Sequence, residues 1–262
     1  MLVACVNMDT PKARYAIVRP VPDSYDRCVR TNIEKIDVSL AKKQHEKYCK
    51  ALEELGLKLI WIKGDNSLPD SCFVEDTAVI FGEKAVICNM KIESRAKEVI
   101  EVAKVLRKFK KTYSIRFPAT IDGGDVLQIE DKVFIGLTTR TNMHAVTQLR
   151  KILEDDGLEV IPVKVDGIVH LKSACAYLGS GYVTLSRGYF DEAIFRDYNK
   201  VIVPKEESYA ANCLAINGTV LMAKGYPKTR KLIETEGFQV KELEMSEFRK
   251  GDGALTCLSL RW

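Results

Sequence analysis

Cys257 ends the run Gly251–Asp252–Gly253–Ala254–Leu255–Thr256–Cys257. Glycines on both sides of an acidic residue favour a tight loop that exposes the residues just after it. A thiol there becomes a nucleophile if a cation lowers its pKa. Otherwise it reads as a small apolar residue in a last strand. A thiol nucleophile needs a proton carrier, and the chain has three histidines, His45, His144 and His170. His45 falls on an apolar helical stripe four residues before Cys49, which favours packing over a metal pair. His144 sits in the first turn of a predicted helix and reads as a surface residue. His170 comes after Gly167–Ile168–Val169 at the start of a predicted strand, where a general acid/base is useful and a structural histidine also fits. Two acidic clusters complete the set. Asp70, Glu75 and Asp76 precede a β-rich run, and Asp122–Gly123–Gly124–Asp125 precedes another. Turn chemistry accounts for the second cluster on its own. Glu75–Asp76 fits a turn less well, because Phe73 and Val74 come directly before it.

The elements that must carry these residues recur about five times. Each unit pairs two short apolar strands across a polar or glycine turn, then adds an amphipathic helix and one more strand. The first unit has a strand at 15–18, a helix over about 40–55 with Ser39 as N-cap and Gly56 as the C′ residue, and a strand at 57–62. The second has strands at 77–81, 85–88 and 113–117, with a helical face through Ala96, Val99, Ile100, Ala103 and Leu106. The third has strands at 125–129, 133–137 and 158–163, with a helix from near Thr141. The fourth has strands at 173–178, 182–186 and 201–203, with a short helix near 189–198. The fifth has strands at 213–217, 220–223 and 239–243, with a helix after Pro227. Each unit has one apolar sheet face that a neighbour must cover, so five units predict a closed ring with strand ends converging on a central channel. No linker rich in Pro, Gly or Ser intervenes, and residues 1–262 read as one catalytic domain.

The bulk composition narrows the function classes. Hydrophobic residues make up 46% and charged residues 29%, a globular balance. The net charge of +4 comes from 40 basic and 36 acidic residues interleaved along the chain. The densest basic stretch, Arg107–Lys111, falls at a predicted helix end, where the helix dipole favours cations. A nucleic-acid partner is not expected. The eight cysteines form no C-x-x-C pair and no zinc-ribbon spacing. No apolar run approaches membrane-spanning length and no signal peptide is evident, so the expectation is a cytoplasmic protein with free, mostly buried thiols and no membrane partner.

Taken in order, the motifs resemble those of the dimethylarginine dimethylaminohydrolase family, among the guanidine-modifying penteins related to arginine deiminase. They are Arg19–Pro20–Val21–Pro22, Pro69–Asp70 with Phe73–Val74–Glu75–Asp76, Asp122–Gly123–Gly124–Asp125–Val126–Leu127, Arg140–Thr141–Asn142, His170–Leu171–Lys172–Ser173, Ala211–Asn212–Cys213, and Asp252–Gly253–Ala254–Leu255–Thr256–Cys257. The resemblance covers about residues 19–260. It implies the pentein fold, a five-bladed α/β-propeller of pseudo-symmetric ββαβ units around a central channel. It makes Cys257 the nucleophile and His170 the general acid/base, with Asp122 beside His170. Glu75 and Asp76 would hold a guanidinium, and Asp70 would line the same pocket. Arg95 and Arg140 would bind the carboxylate of an amino-acid substrate. Val21 and Gly251 stand where the family makes backbone contacts to substrate, although it often has Leu at the first and a bulkier aliphatic residue at the second. No metal or organic cofactor is implied. The partner is a small guanidine, arginine or a methylated arginine, and a homodimer is compatible with the family.

The resemblance implies cleavage of N-methylated arginine to citrulline and an alkylamine through a covalent thiouronium. Arginine deiminase is the close alternative and an amidinotransferase a third. Two residues bear on the choice. Lys172 stands where deiminases commonly have an acid, and Asp122 where they tend to have Glu; both favour an N-alkylated guanidine. A ribosome-binding pentein without catalysis is the alternative of a different class, and it has no reason to keep Cys257, His170, Glu75 and Asp76 together.

Overall fold

Five small sheets of three strands each arise from the repeats. The computed structural model describes residues 8–262; the expected free thiol at Cys5 and the reading of the first residues lie outside the described residues. Four blades run in chain order: β3 (Ala78–Phe81), β4 (Lys84–Ile87) and β5 (Lys111–Ser114); β6 (Val126–Ile129), β7 (Lys132–Leu137) and β8 (Glu159–Lys164); β9 (Cys175–Gly179), β10 (Tyr182–Leu185) and β11 (Asn199–Ile202); β12 (Leu214–Ile216), β13 (Thr219–Ala223) and β14 (Gln239–Leu243). In each, the first two strands pair antiparallel and the third adds parallel to the second. A parallel neighbour requires a crossover, which the intervening helix or helical turn supplies. The hairpin of the last blade turns on Asn217–Gly218, both at positive φ, as a two-residue loop of type I′ demands.

The remaining blade is built from both ends of the chain. β1 (Tyr15–Val18) pairs parallel with β2 (Lys58–Trp61) and antiparallel with β15 (Leu260–Arg261). The sequence pattern shows a single strand ahead of the first helix because its partner lies some 240 residues downstream, in the register Ile17↔Leu260. This pairing closes the ring, and the architecture is the five-bladed α/β-propeller expected.

Helices knit neighbouring blades. α1 (Val38–Glu54) buries Tyr48 and Leu52 among Ala16 and Val18 of one blade and Leu214, Leu221 and Leu243 of another. Its N-cap is Asp37, whose carboxylate accepts from Leu40 N at 3.0 Å, not the expected Ser39. Gly56, at φ 86°, is the predicted C′ residue. α3 (Met143–Ile152), capped by Asn142, buries Ala145, Val146 and Leu149 against Phe81, Val86 and Val133. α2 (Val99–Leu106), α4 (Pro227–Thr235) and the short α5 (Ser246–Lys250) complete the set. The expected short helix near 189–198 is a single 3₁₀ turn, Glu192–Phe195. No helix among the described residues is long and apolar enough to cross a membrane.

The ring matters for function because of the turn that precedes each first strand. A 3₁₀ turn stands there in every blade: Val74–Thr77, Gly123–Asp125, Leu171–Ser173, Lys205–Ala211 and Thr256–Leu258. These turns touch one another around the ring. Thr77, Asp125 and Ser173, expected as strand starts, belong to them. The residues singled out for chemistry therefore sit at pseudo-equivalent positions and meet near the axis.

Candidate active site

Cys257, His170 and Glu75 line one cavity of about 680 Å³. Gly124, Lys172 and Asn212 line it too, and its mouth carries Thr31, Arg249 and Asp252. Cys257 lies in the turn after Gly253 and is half-buried, and Ala254 N donates to its Sγ at 3.4 Å. Burial, then the charges of Glu75 and Asp76, push its thiol up to about 12. The resting sulfur is therefore protonated, and a cation placed among the carboxylates offsets the part of this rise that Glu75 and Asp76 contribute.

His170 is the residue before the Leu171–Ser173 turn. Its Nε2 lies 3.1 Å from Asp122 Oδ2 and its Nδ1 is 3.9 Å from Asp76 Oδ1. Burial would lower its pKa, but Asp76, Asp125 and Asp122 outweigh burial and raise it to about 9. Burial acts in the opposite sense on Asp76, where His170 and Arg95 prevail and hold the carboxyl at about 2. The pair is thus imidazolium and carboxylate at neutral pH.

The glycines of Asp122–Gly123–Gly124–Asp125 serve close approach, not turn geometry, since neither has positive φ. A Cβ on Gly123 would lie 2.0 Å from Glu75 O, and one on Gly124 would lie 2.6 Å from His170 Nδ1 and 2.8 Å from Asp76 Oδ1. Gly124 N donates to Asp76 Oδ1 at 3.0 Å. The bare backbone is what lets carboxylate and imidazole crowd together.

Glu75 is held from three sides. Its Oε1 accepts from Lys172 Nζ at 2.6 Å and lies 3.4 Å from Arg261 Nη2, while its Oε2 accepts from Thr256 Oγ1 at 2.7 Å. Asn212, to which its residue type alone assigned no role, staples the neighbouring turns. Its side chain donates to Lys172 O and Thr256 Oγ1 and accepts from Thr256 N. The repeat itself carried the signal, because Asn212 comes directly after the fourth turn as Ala78, Val126, Ala174 and Ser259 come after the others.

Asp125 likewise had no expected role. It is fully buried, accepts from Leu171 N at 2.9 Å, and accepts from Thr138 Oγ1 and Thr141 Oγ1. It fixes the segment that carries His170. Thr141 Oγ1 in turn accepts from Asp122 N at 3.2 Å.

Other residues from the expected set lie around this cavity but not on its wall. Arg95 is buried and engaged, with Nη1 on Asp76 Oδ2 at 2.9 Å and Nη2 on Glu98 Oε2 at 3.0 Å. Burial pushes Glu98 up to about 7 against the pull of Arg95. Arg140 Nη1 stands 3.8 Å from Asp122 Oδ2 and has no hydrogen-bond partner, and Asp122 Oδ1 has none either. Asp70, raised chiefly by burial, accepts from Val29 N and so ties down the loop leading to Thr31. Val21 is buried in the core beside Tyr25. Gly251 is buried under Tyr25, whose hydroxyl would lie 2.3 Å from an added Cβ. Tyr25 thus fills the volume that a bulkier aliphatic residue at 251 would take.

Among the described residues, one group could hold a metal ion: Asp76, Asp122 and His170, with ligand atoms within 4.8 Å of one another. His170 Nε2 and Asp122 Oδ2 are spent on each other, and the two oxygens of Asp76 face Gly124 N and Arg95 Nη1. The other histidines lie elsewhere. His45 is packed in α1 with Cys49 Sγ 3.6 Å from its Nδ1, and burial lowers it to about 4; His144 is exposed.

A sulfur, an imidazole backed by a carboxylate, and a further carboxylate around one cavity are suited to covalent chemistry on a planar cation. Comparison with known proteins points the same way. A family model described as N,N dimethylarginine dimethylhydrolase, eukaryotic, matches residues 20–207. The N(G),N(G)-dimethylarginine dimethylaminohydrolase of Pseudomonas aeruginosa is 34% identical over 93% of this chain and 96% of its own. That of Streptomyces coelicolor is 33% identical over 96% of this chain and 97% of its own. A solved structure of the Pseudomonas enzyme, a cysteine-to-serine variant complexed with citrulline, superposes with a TM-score of 0.93 at 33% identity, covering 96% of this chain and 100% of that one. The N-terminal domain of a cyanobacterial arginine dihydrolase shares the fold at a TM-score of 0.87 and 20% identity, covering 96% of this chain and 97% of that one. With this site on this five-bladed frame, and with identity above 30% along nearly its whole length, the chain belongs to the dimethylarginine dimethylaminohydrolase family.

Proposed function

We propose that the chain hydrolyses the guanidinium C–N bond of an N-methylated arginine, giving citrulline and an alkylamine through an adduct on Cys257. The observation that carries this reading is the shared cavity of Cys257, His170 and Glu75, with Asp122 on the imidazole. The citrulline bound to the Pseudomonas relative supports the product class.

The guanidinium enters as a cation and lies against Glu75, with the Asp76 charge behind it. Bidentate hydrogen bonding fixes its plane and turns its carbon toward the sulfur. The same cation offsets the carboxylate charges that add to burial in holding the proton on sulfur, and as the thiol proton leaves to solvent a thiolate forms under the Ala254 N–H. Sulfur attacks the central carbon and an S–C bond forms. His170 is already protonated and gives its proton to the departing amine as the C–N bond breaks. The Asp122 bond occupies Nε2, so Nδ1 is the nitrogen that transfers the proton. Neutral His170 then takes a proton from water as it adds to the thiouronium. Collapse breaks the S–C bond, returns the thiolate and releases citrulline as the hydroxyl proton passes to solvent. Lys172, paired to Glu75, offers no second carboxylate for an unsubstituted guanidinium edge, which favours an N-alkylated substrate over free arginine.

The test is a panel of arginine, monomethylarginine, dimethylarginine and agmatine, with ureido product and released amine assayed separately. Dimethylamine and citrulline are expected in equal amounts, with the highest kcat/KM for a methylated arginine. Faster release of ammonia from arginine would instead identify a deiminase.

A further inference from the structure

A second, smaller cavity lies behind the first. It measures about 220 Å³ and is walled by β6, β9 and β12, residues 11–13 and Arg261. Glu75 and Lys172 line both cavities, so their ion pair is the partition between them. Thr256, bonded to the other Glu75 oxygen, belongs to the rear wall.

The charge of the rear wall is one-sided. Lys12, Lys172 and Arg261 line it with a single carboxylate, Glu75, while Lys12 also pairs at 2.8 Å with Asp9 outside the wall. Lys172 and Arg261 are largely buried, with 13% and 17% of their side chains exposed. Their donors are not used up. Lys172 has three N–H groups, and its one side-chain partner among the described residues is Glu75. Arg261 spends Nη1 on Thr256 O, Ser259 O and Ser259 Oγ, reaches Glu75 only at 3.4 Å through Nη2, and its Nε meets no acceptor among the described residues. Much of the remaining wall is hydrocarbon, including Val126, Ala176, Leu214 and Ile216. Low-dielectric walls strengthen the field of the surplus cations, and a planar guanidinium beside an ammonium suits an oxyanion.

We propose that this rear cavity binds a small oxyanion, such as inorganic phosphate or a short carboxylate, and that its occupancy strengthens guanidine binding in front. The anion draws Lys172 and Arg261 away from Glu75 Oε1, and its charge adds to that of Glu75 across the partition. Both effects favour a cation in the front cavity. The binding claim stands alone, whereas the coupling rests on the reading of Glu75 as a guanidinium ligand. Linkage requires the effect to be reciprocal.

Inorganic phosphate titrated into the full chain at constant ionic strength tests the proposal, with thermal unfolding as the first readout. Wild type should show a saturable rise in Tm, and Arg261→Gln and Lys12→Gln should weaken the apparent affinity about fivefold or more. Lys12 is 66% exposed, so its variant keeps the test open if Arg261→Gln fails to fold. In the second readout, saturating phosphate should lower KM for dimethylarginine about fivefold in wild type with kcat unchanged. A rise that does not saturate, or that is the same in Lys12→Gln, overturns the site. Saturable binding with an unchanged KM overturns the coupling. Loss of the hydrolase reading itself would appear separately, as no turnover of any guanidine with or without phosphate.

Discussion

Gly124→Ala should leave a folded protein that turns over poorly. The added methyl carbon would stand 2.6 Å from His170 Nδ1 and 2.8 Å from both His170 Cγ and Asp76 Oδ1. Ordinary contact begins at 3.4 Å, so the imidazole must retreat by about 0.8 Å. Neither neighbour is free to swing aside, because His170 is tied to Asp122 and Asp76 to Arg95. Overpacking of this kind costs about 1–3 kcal/mol of stability. A misplacement of about 1 Å at a reacting group costs about 100-fold in rate. The expected outcome is a kcat on dimethylarginine lower by about 100-fold, with far-UV circular dichroism unchanged and a modest fall in Tm. Gly64→Ala is the control, since its Cβ would meet nothing nearer than Pro20 Cγ at 3.8 Å. Wild-type kcat in Gly124→Ala would refute the claim that this backbone approach sets the position of His170.

The buried charges set three more outcomes. The His170 pKa is raised from 6.5 to about 9 in the folded chain, so its contribution to stability, about 3 kcal/mol, is fully present below pH ~6.5 and is lost as pH rises through ~9; wild type should lose more Tm than His170→Gln over that window, and parallel curves would contradict the assignment. Asp125→Asn removes a charge that raises His170 while leaving an oxygen to accept from Leu171 N, so the His170 limb of the pH–rate profile should move to lower pH and kcat should fall about tenfold; a lower Tm with an unmoved profile would make Asp125 merely structural. Arg95→Ala strands Asp76 and Glu98 and should cost about 3–5 kcal/mol by denaturant unfolding, whereas Arg140→Ala should spare stability and raise KM; the reverse pattern would give Arg95 the substrate-binding part.

The repeating frame was legible because each blade writes its own pattern locally. The apolar pair of strands, the helical stripe and the closing strand all fall within a span of roughly 30–50 residues. The closing strand β15 was not legible as the partner of β1, because nothing local marks a pairing between Ile17 and Leu260. Asp37 displaced Ser39 as helix cap by a shift of two residues that the apolar stripe does not determine. Glycine pairs looked like turn residues at 123–124, but their reason for being there is a contact with Glu75, Asp76 and His170 across blades. The vacancy that Gly251 creates is filled by Tyr25, more than 200 residues earlier. Asp125 and Asn212 escaped for the same cause, since their partners Leu171, Thr256 and Lys172 lie far along the chain. Chemistry-bearing residue types could be picked out one at a time, while the bonds that assign their work are long-range.

The central claim is a covalent step on one sulfur. Mixing the protein with dimethylarginine, quenching in acid within the first turnovers and mapping peptides by mass spectrometry addresses it directly. The predicted result is an amidino adduct on the peptide carrying Cys257, absent from Cys257→Ser, which should fold and not turn over. An adduct on another cysteine, or citrulline production by Cys257→Ser, would contradict it.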